Sequence, residues 1–326
     1  MSFRGLSFRH MSFRSLSQLG ASSMLCCALA MLALTPAARA QETQSQEAAK
    51  RAAVLRTLPT NAAKRIFGAE KTPAPLEARS IGFYARGCLA GAEALPVNGD
   101  TWQVMRISRN RMWANPAMID FLEKFAGEVP RQVGWPGILV GDMSQPRGGP
   151  MLTGHASHQI GLDADLWLTP MPEQRLSQTA RETMSAVNMV APDWMHVDPK
   201  AWTVGQLKLI RLAAKDARVE RVFVNPVIKK ALCEGAGRDR AWLSKVRPMW
   251  GHNYHFHIRL HCPAGDASCT PQTPPKPGDG CGKEVDNWLA LQHRAIFGPK
   301  HKPGKPKPPL TMADLPDACR AVAVAR

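Results

Sequence analysis

The chain has 326 residues, 44% of them hydrophobic, and carries a formal net charge of +16 from 42 Lys+Arg against 26 Asp+Glu. So positive a chain favours polyanionic partners. The basic residues are dispersed, however, with one dense run at 299–308 and no nucleic-acid-binding motif, which excludes nucleic acid as the expected partner.

The first 40 residues read as a targeting leader. Arg4, Arg9 and Arg14 make a basic start, and no acid precedes Glu42. Residues 24–34 are apolar but too few to span a bilayer. Ala38-Arg39-Ala40 then offers a small-x-small cleavage pattern, so the mature chain is expected to begin near Gln41. A retained anchor is the alternative. Cys26 and Cys27 lack the small residue that a lipoprotein signal places before its cysteine, so lipidation is not expected. Met-Ser-Phe-Arg occurs at both 1 and 11, which makes Met11 a second candidate start. Beyond the leader there is no internal repeat and no further membrane segment. Residues 41–326 are expected to form a single domain, exported and not inserted in the membrane.

Residues 41–75 are polar and expected to adapt to the surface of the domain. Gly82, Gly87, Gly91 and Pro96 leave little helix over 77–98. Residues 102–108 suggest a strand. Ile119, Leu122 and Phe125 give 117–129 a helical spacing, and a short strand follows at 138–142. The Gly148-Gly149-Pro150 loop then leads into Gly154-His-Ala-Ser-His-Gln-Ile-Gly-Leu-Asp-Ala-Asp165. Here Leu162, Ala164, Leu166 and Leu168 alternate with Asp163, Asp165 and Trp167. That is the pattern of a half-buried strand with two carboxylates on its polar face.

A helix is expected over 177–190. Asp193-Trp-Met-His196 brings a carboxylate and an imidazole together, although such a pair alone usually caps or solvates a turn. Thr203 and Gln206 spell a capping box opening a helix to about Arg218. Residues 221–226 read as a strand ending at proline. Then comes Trp250-Gly-His-Asn-Tyr-His-Phe-His257, which holds three of the ten histidines. As a strand it puts Tyr254, Phe256, Ile258 and Leu260 on one side and His255, His257 and Arg259 on the other. A last helix is expected over 284–297, and residues 299–310 are Lys/Pro-rich and expected to be extended. Helices between short strands, with few parallel crossover units, indicate an α+β fold.

Paired imidazoles projecting from a strand usually bind a divalent metal. One His, one Asp and one His from the two motifs would make a three-ligand zinc site with an open fourth position, the catalytic type. Zinc lowers the pKa of its bound water to about 7 and polarises a carbonyl. It also needs a nearby proton acceptor. No His-Glu pair occurs, so the base is expected to be the unliganded member of His255 and His257, with His252 orienting water or steadying an oxyanion. Serine chemistry is poorly supported, since Gly-x-Ser-x-Gly and Ser-x-x-Lys are both lacking. Six cysteines follow residue 40: Cys88, Cys233, Cys262, Cys269, Cys281 and Cys319. In an exported chain they read as three disulfides, in any of the fifteen pairings six cysteines allow, with Cys262 and Cys269 able to close a short loop. Zinc-binding thiolates are the weaker alternative, because no Cys-x-x-Cys spacing occurs.

The two histidine motifs resemble those of the penicillin-insensitive murein endopeptidases. These belong with the lysostaphin-type and D-Ala-D-Ala metallopeptidases, which share His-x6-Asp, here His158 and Asp165, and His-x-His, here His255 and His257. The resemblance runs from about Gly82 to Cys319 and includes Gly87-Cys-Leu-Ala-Gly-Ala92, Trp102-Gln-Val-Met-Arg106, Phe223-Val-Asn-Pro226 and Pro277-Gly-Asp-Gly-Cys-Gly282. It implies a periplasmic zinc peptidase built on a small antiparallel sheet, cleaving D-alanyl–meso-diaminopimelyl cross-links of peptidoglycan. It implies His158, Asp165 and His257 as zinc ligands, His255 as base and His252 as its helper. It implies His155, Asp193 and His196 as further metal-associated positions. It also implies the pairs Cys88–Cys319, Cys233–Cys281 and Cys262–Cys269. Two rival functions remain: a D-Ala-D-Ala carboxypeptidase on the same scaffold, and a non-catalytic wall-binding protein that keeps its metal.

Overall fold

The computed structural model describes residues 36–300 and 307–326. Most of the expected leader, and residues 301–306 of the Lys/Pro-rich segment, lie outside the described residues. In chain order the elements are helices α1 (Pro36–Thr57) and α2 (Ala63–Ala69), then strands β1 (Arg79–Phe83), β2 (Arg86–Ala90), β3 (Glu93–Ala94), β4 (Trp102–Val104) and β5 (Trp113–Ala114). Helix α3 (Pro116–Gln132) leads to β6 (Ile138–Val140) and β7 (Asp163–Trp167), and α4 (Gln178–Thr183) and α5 (Val204–Lys215) to β8 (Val219–Val224). Helix α6 (Pro226–Gly235), β9 (Val246–Pro248), β10 (His255–Leu260), α7 (Lys283–Phe297) and α8 (Ala318–Val324) complete the chain.

The fold is α+β, as expected. Its main sheet is larger and more varied than the small antiparallel one implied by resemblance. Six strands lie in the order β4-β6-β7-β10-β8-β9. The four central ones are antiparallel, while β4 runs parallel to β6 and β9 parallel to β8 at the edges. Strands β7 and β10 sit at the centre, and every residue of both is buried. The expected half-buried strand at 163–167 is therefore covered on both faces. Phe256, Ile258, Ala164 and Leu166 enter the main core with Phe121, Leu122, Leu209, Ile210 and Val222. Burying one such side chain stabilises the fold by about 1.5–3 kcal/mol.

Local chemistry explains the helix starts. Asn115 and Asn225 accept from the backbone N–H two residues on, with proline at the first helical position, and open α3 and α6. The Thr203–Gln206 capping box is fully formed at the start of α5. One stretch holds helices that were not foreseen, and one expectation needs correction. Residues 41–75 contain two helices, and the first lies along α4. Its Ala, Gln, Glu and Arg content suits a helix, but the sequence shows no apolar stripe to announce one. Conversely, the helix expected over 177–190 ends at Thr183. Arg106 takes the carbonyls of Arg181, Glu182 and Met184, which a continuing helix would use for its own ladder. An Asn188 side chain accepting from Val190 N–H then turns the chain.

The three disulfides are those the resemblance implied: Cys88–Cys319, Cys233–Cys281 and Cys262–Cys269. The first fastens α8 to β2 within a second core of Phe67, Ile81, Leu315 and Val322. No helix among the described residues is long and apolar enough to cross a membrane.

Candidate metal centre

Register brings the two motifs together. Across the antiparallel pair, His257 lies opposite Asp165, Arg259 opposite Asp163, and His255 opposite Trp167. Because facing residues in a sheet share a face, two histidines and two aspartates converge. His158 arrives from the loop before β7 in a left-handed conformation (φ 66°), a costly one for a side chain other than glycine. It is held there by its N–H, which donates to Asp163 Oδ2 at 2.9 Å. Gly148 has no room for a Cβ, which would lie 2.0 Å from the Gln159 carbonyl, and this close approach seats the His158–Gln159 segment.

The donor atoms face one another without partners. His158 is fully buried; its Nδ1 bonds the Met143 carbonyl at 3.0 Å, and its Nε2 points at Asp165 Oδ1, 3.4 Å away. His257 Nδ1 lies 3.5 Å from the same oxygen. Both His158 Nε2 and Asp165 Oδ1 are buried with no hydrogen-bond partner. Buried polar atoms in a native site are normally satisfied. A cation between them would satisfy an imidazole lone pair and a carboxylate together. Two overlapping sets of donors lie within 4.8 Å of one another: His155, His158 and Asp165, and Asp165, His252 and His257.

The electrostatics suit a metal too. Burial would raise the pKa of Asp163, but Arg259 and His257 hold it well below the usual carboxylate range. Burial likewise opposes ionisation of Asp165, and His255, His158 and His155 outweigh it. Burial pushes His255 down to about 4 and His257 down to about 3. Ionised aspartates and neutral imidazoles are the states that bind metal.

His255 Nε2 is 3.6 Å from Asp165 Oδ2, while its Nδ1 is buried and unpartnered. His252, also left-handed (φ 53°), bonds the Trp250 carbonyl through Nδ1 at 2.8 Å, and its ring centre is 4.9 Å from that of His255. His155 bridges two acids: Nε2 lies 3.0 Å from Asp142 and Nδ1 3.4 Å from Asp165. Burial would lower its pKa, but Asp165 and Asp142 raise it. Asp193 and His196 are placed differently. They bond each other at 2.6 Å on an exposed turn, outside both donor sets.

Several supporting residues were not assigned roles from sequence. Asp163 Oδ1 lies 2.9 Å from His257 Nε2, out of line for a good hydrogen bond, and the carboxylate accepts from Arg259 in a bidentate pair, Nε to Oδ1 at 2.8 Å and Nη2 to Oδ2 at 3.1 Å. Arg259 is in turn packed over Tyr84 and beside Phe223. Asp142, anchored by Arg111 at 2.8 Å and Arg109 at 3.2 Å, backs His155. The alternation signalled the face for Asp163 and Arg259. Nothing in the sequence links Asp142 to residues found more than ten positions later. Asp142, His155, Asp165 and His255 line a cleft of about 280 Å³ together with Arg106, Arg109, Trp167 and Tyr254. A larger cavity, about 660 Å³, lies against α7 and contains none of these donors.

Residues 80–324 match the family described as penicillin-insensitive murein endopeptidase. Relatives bearing that name include one from Klebsiella pneumoniae subsp. pneumoniae, 44% identical over 238 residues, which covers 73% of this chain and 86% of the relative. One from Haemophilus influenzae is 45% identical over 241 residues, 73% of this chain and 84% of the relative. One from Salmonella heidelberg is 44% identical over 251 residues, 77% of this chain and 88% of the relative. The class is thus a peptidase. The chain belongs to the penicillin-insensitive murein endopeptidase family.

Proposed function

We propose that this protein is a periplasmic zinc D,D-endopeptidase that hydrolyses D-alanyl–meso-diaminopimelyl cross-links of peptidoglycan. The observation that carries the metal reading is the buried, unpartnered Nε2 of His158 facing the buried, unpartnered Oδ1 of Asp165. His158, Asp165 and His257 would hold the ion. His155, Asp193 and His196 are further metal-associated positions. The exposed Asp193–His196 pair would hold an ion more weakly than the buried set, because its two donors already satisfy each other. Bound zinc would supply Lewis acidity and a water of lowered pKa.

The remaining chemistry belongs to side chains. His255 is neutral at physiological pH because burial holds its pKa down, so Nε2, the ring nitrogen on the Asp165 side, can accept a proton from attacking water. The same ring, once protonated, returns the proton to the departing amine. His252 has its Nδ1 fixed by the Trp250 carbonyl, which leaves Nε2 to orient water or steady the developing oxyanion. Trp167 and Tyr254 on the wall help exclude solvent.

Metal content of the purified protein, measured with its muropeptide products by mass spectrometry, tests the reading. Dimers should become monomers. Loss of a terminal alanine would instead indicate the carboxypeptidase, and unchanged dimers with metal bound would indicate a wall-binding protein. Chelators should abolish activity and penicillin should leave it unchanged, since no Ser-x-x-Lys is present to acylate. Stoichiometric labelling by a fluorescent penicillin would contradict the proposal.

A further inference from the structure

The cleft carries two arginines that this hydrolytic chemistry does not use. Arg106 and Arg109 line the same cavity as His155, Asp165 and His255. Arg106 is fixed in place. Its guanidinium donates to the backbone carbonyls of Arg181, Glu182 and Met184 and lies 5.6 Å from the centre of the Trp167 ring. All three acceptors are neutral, so they position the charge without cancelling it.

Arg109 is held more loosely. Its Nη1 donates to Asp142 Oδ2 at 3.2 Å, an oxygen that Arg111 and His155 also reach. Its Nη2 approaches only Glu47 of α1, at 3.8 Å, beyond hydrogen-bond distance. Its Nε is buried and unpartnered. Nε is closed to solvent, so Nη2, which has no hydrogen bond among the described residues, is the nitrogen that a carboxylate can meet by a charge-assisted contact. The side chain is 30% exposed, so a ligand can reach that end of the guanidinium.

A D-alanyl–meso-diaminopimelyl cross-link carries a matching group. The carbon bearing the scissile amide nitrogen also bears a free carboxylate. When the amide carbonyl is beside Asp165 and His255, that carboxylate lies only a few bonds away, and Arg109 lines the same cleft. We infer that Arg109 receives this free carboxylate and selects substrates that have one beside the scissile bond, with Arg106 supplying fixed positive charge nearby. The inference rests on the endopeptidase reading and deepens it by naming a specificity residue. Glu47 stands 3.8 Å from Nη2 as a weak substitute carboxylate, in a half-buried pair too long for a hydrogen bond. It belongs to α1, which precedes the region matched by the family.

The test uses the full metal-loaded protein and two cross-linked muropeptide dimers. One keeps the carboxyl beside the scissile amide free, and the other has it converted to a carboxamide. The unmodified protein should prefer the acid by about 10–100-fold in kcat/KM, mostly through KM, as expected when a built charge partner is left unmatched. Arg109→Gln should bring that ratio close to one, with metal content unchanged, and Arg109→Lys should recover part of it. If Arg109→Gln weakens cleavage of both dimers equally, Arg109 acts only by supporting Asp142 and the inference is overturned. A ratio near one for the unmodified protein also overturns it, while leaving the endopeptidase reading intact. Cleavage of neither dimer would overturn that reading and this inference with it.

Discussion

Two histidine–aspartate pairs in this molecule use the same chemical groups to opposite effect. His158 and Asp165 have side chains only 0% and 6% exposed, and their facing atoms have no hydrogen-bond partner. His196 and Asp193 are 67% and 50% exposed and bond each other at 2.6 Å, and that bond lowers the Asp193 pKa to about 2. The exposed pair is complete by itself and has water for its remaining valences. The buried pair has neither. What marks the buried pair as a candidate metal site is the unmet demand of its donors, which residue type alone does not reveal.

Removing a buried donor should have the largest effect. Asp165→Ala or His257→Ala should lose bound zinc and activity together, read by metal analysis and muropeptide cleavage. Retention of stoichiometric metal in both would break the contrast. The next effect separates chemistry from metal holding. His255→Ala should keep its metal and lose about 100-fold or more in rate. If it loses the ion instead while His257→Ala keeps it, the roles of the two histidines are reversed. A smaller effect should follow at the carboxylate behind His257. Asp163→Asn should weaken zinc affinity by about 10–100-fold, measured by competition with a chelating dye, because the negative charge 2.9 Å from His257 Nε2 is lost. A melting curve on the same variant would register the cost of leaving Arg259 buried without its carboxylate. The smallest effect is expected for Asp193→Ala with His196→Ala. The tightly held ion should remain, and only metal bound at high zinc concentration should fall. Loss of the tight ion would mean that the exposed pair completes the buried site.

Much of this contrast was legible in the sequence, because strand alternation is a strong signal. The patterns around Asp165 and His257 gave both the faces and the apolar partners, and α3, α5 and α7 followed from spacing and caps. The order of strands was not legible, since β7 and β10 are neighbours through a pairing of residues about ninety positions apart. Nor was burial on both faces, which depends on layers supplied by distant helices. Helix α1 was missed because a polar surface helix has no stripe to read. The end of α4 was missed because a distant arginine, Arg106, decides it. Asp142 and Arg109 reach the site through tertiary folding alone.

The bridge between Cys88 and Cys319 spans 231 positions. During synthesis Cys88 emerges early, and Cys233, Cys262, Cys269 and Cys281 all appear before its true partner. Cys262 and Cys269, seven positions apart, can join almost as soon as they are exposed. Cys88 must wait as a free thiol for the last helix, with four incorrect partners within reach. Where a wrong partner captures it first, thiol exchange is the reaction that frees it, so a cell short of disulfide isomerase should accumulate full-length, misbridged chain even where oxidant is plentiful.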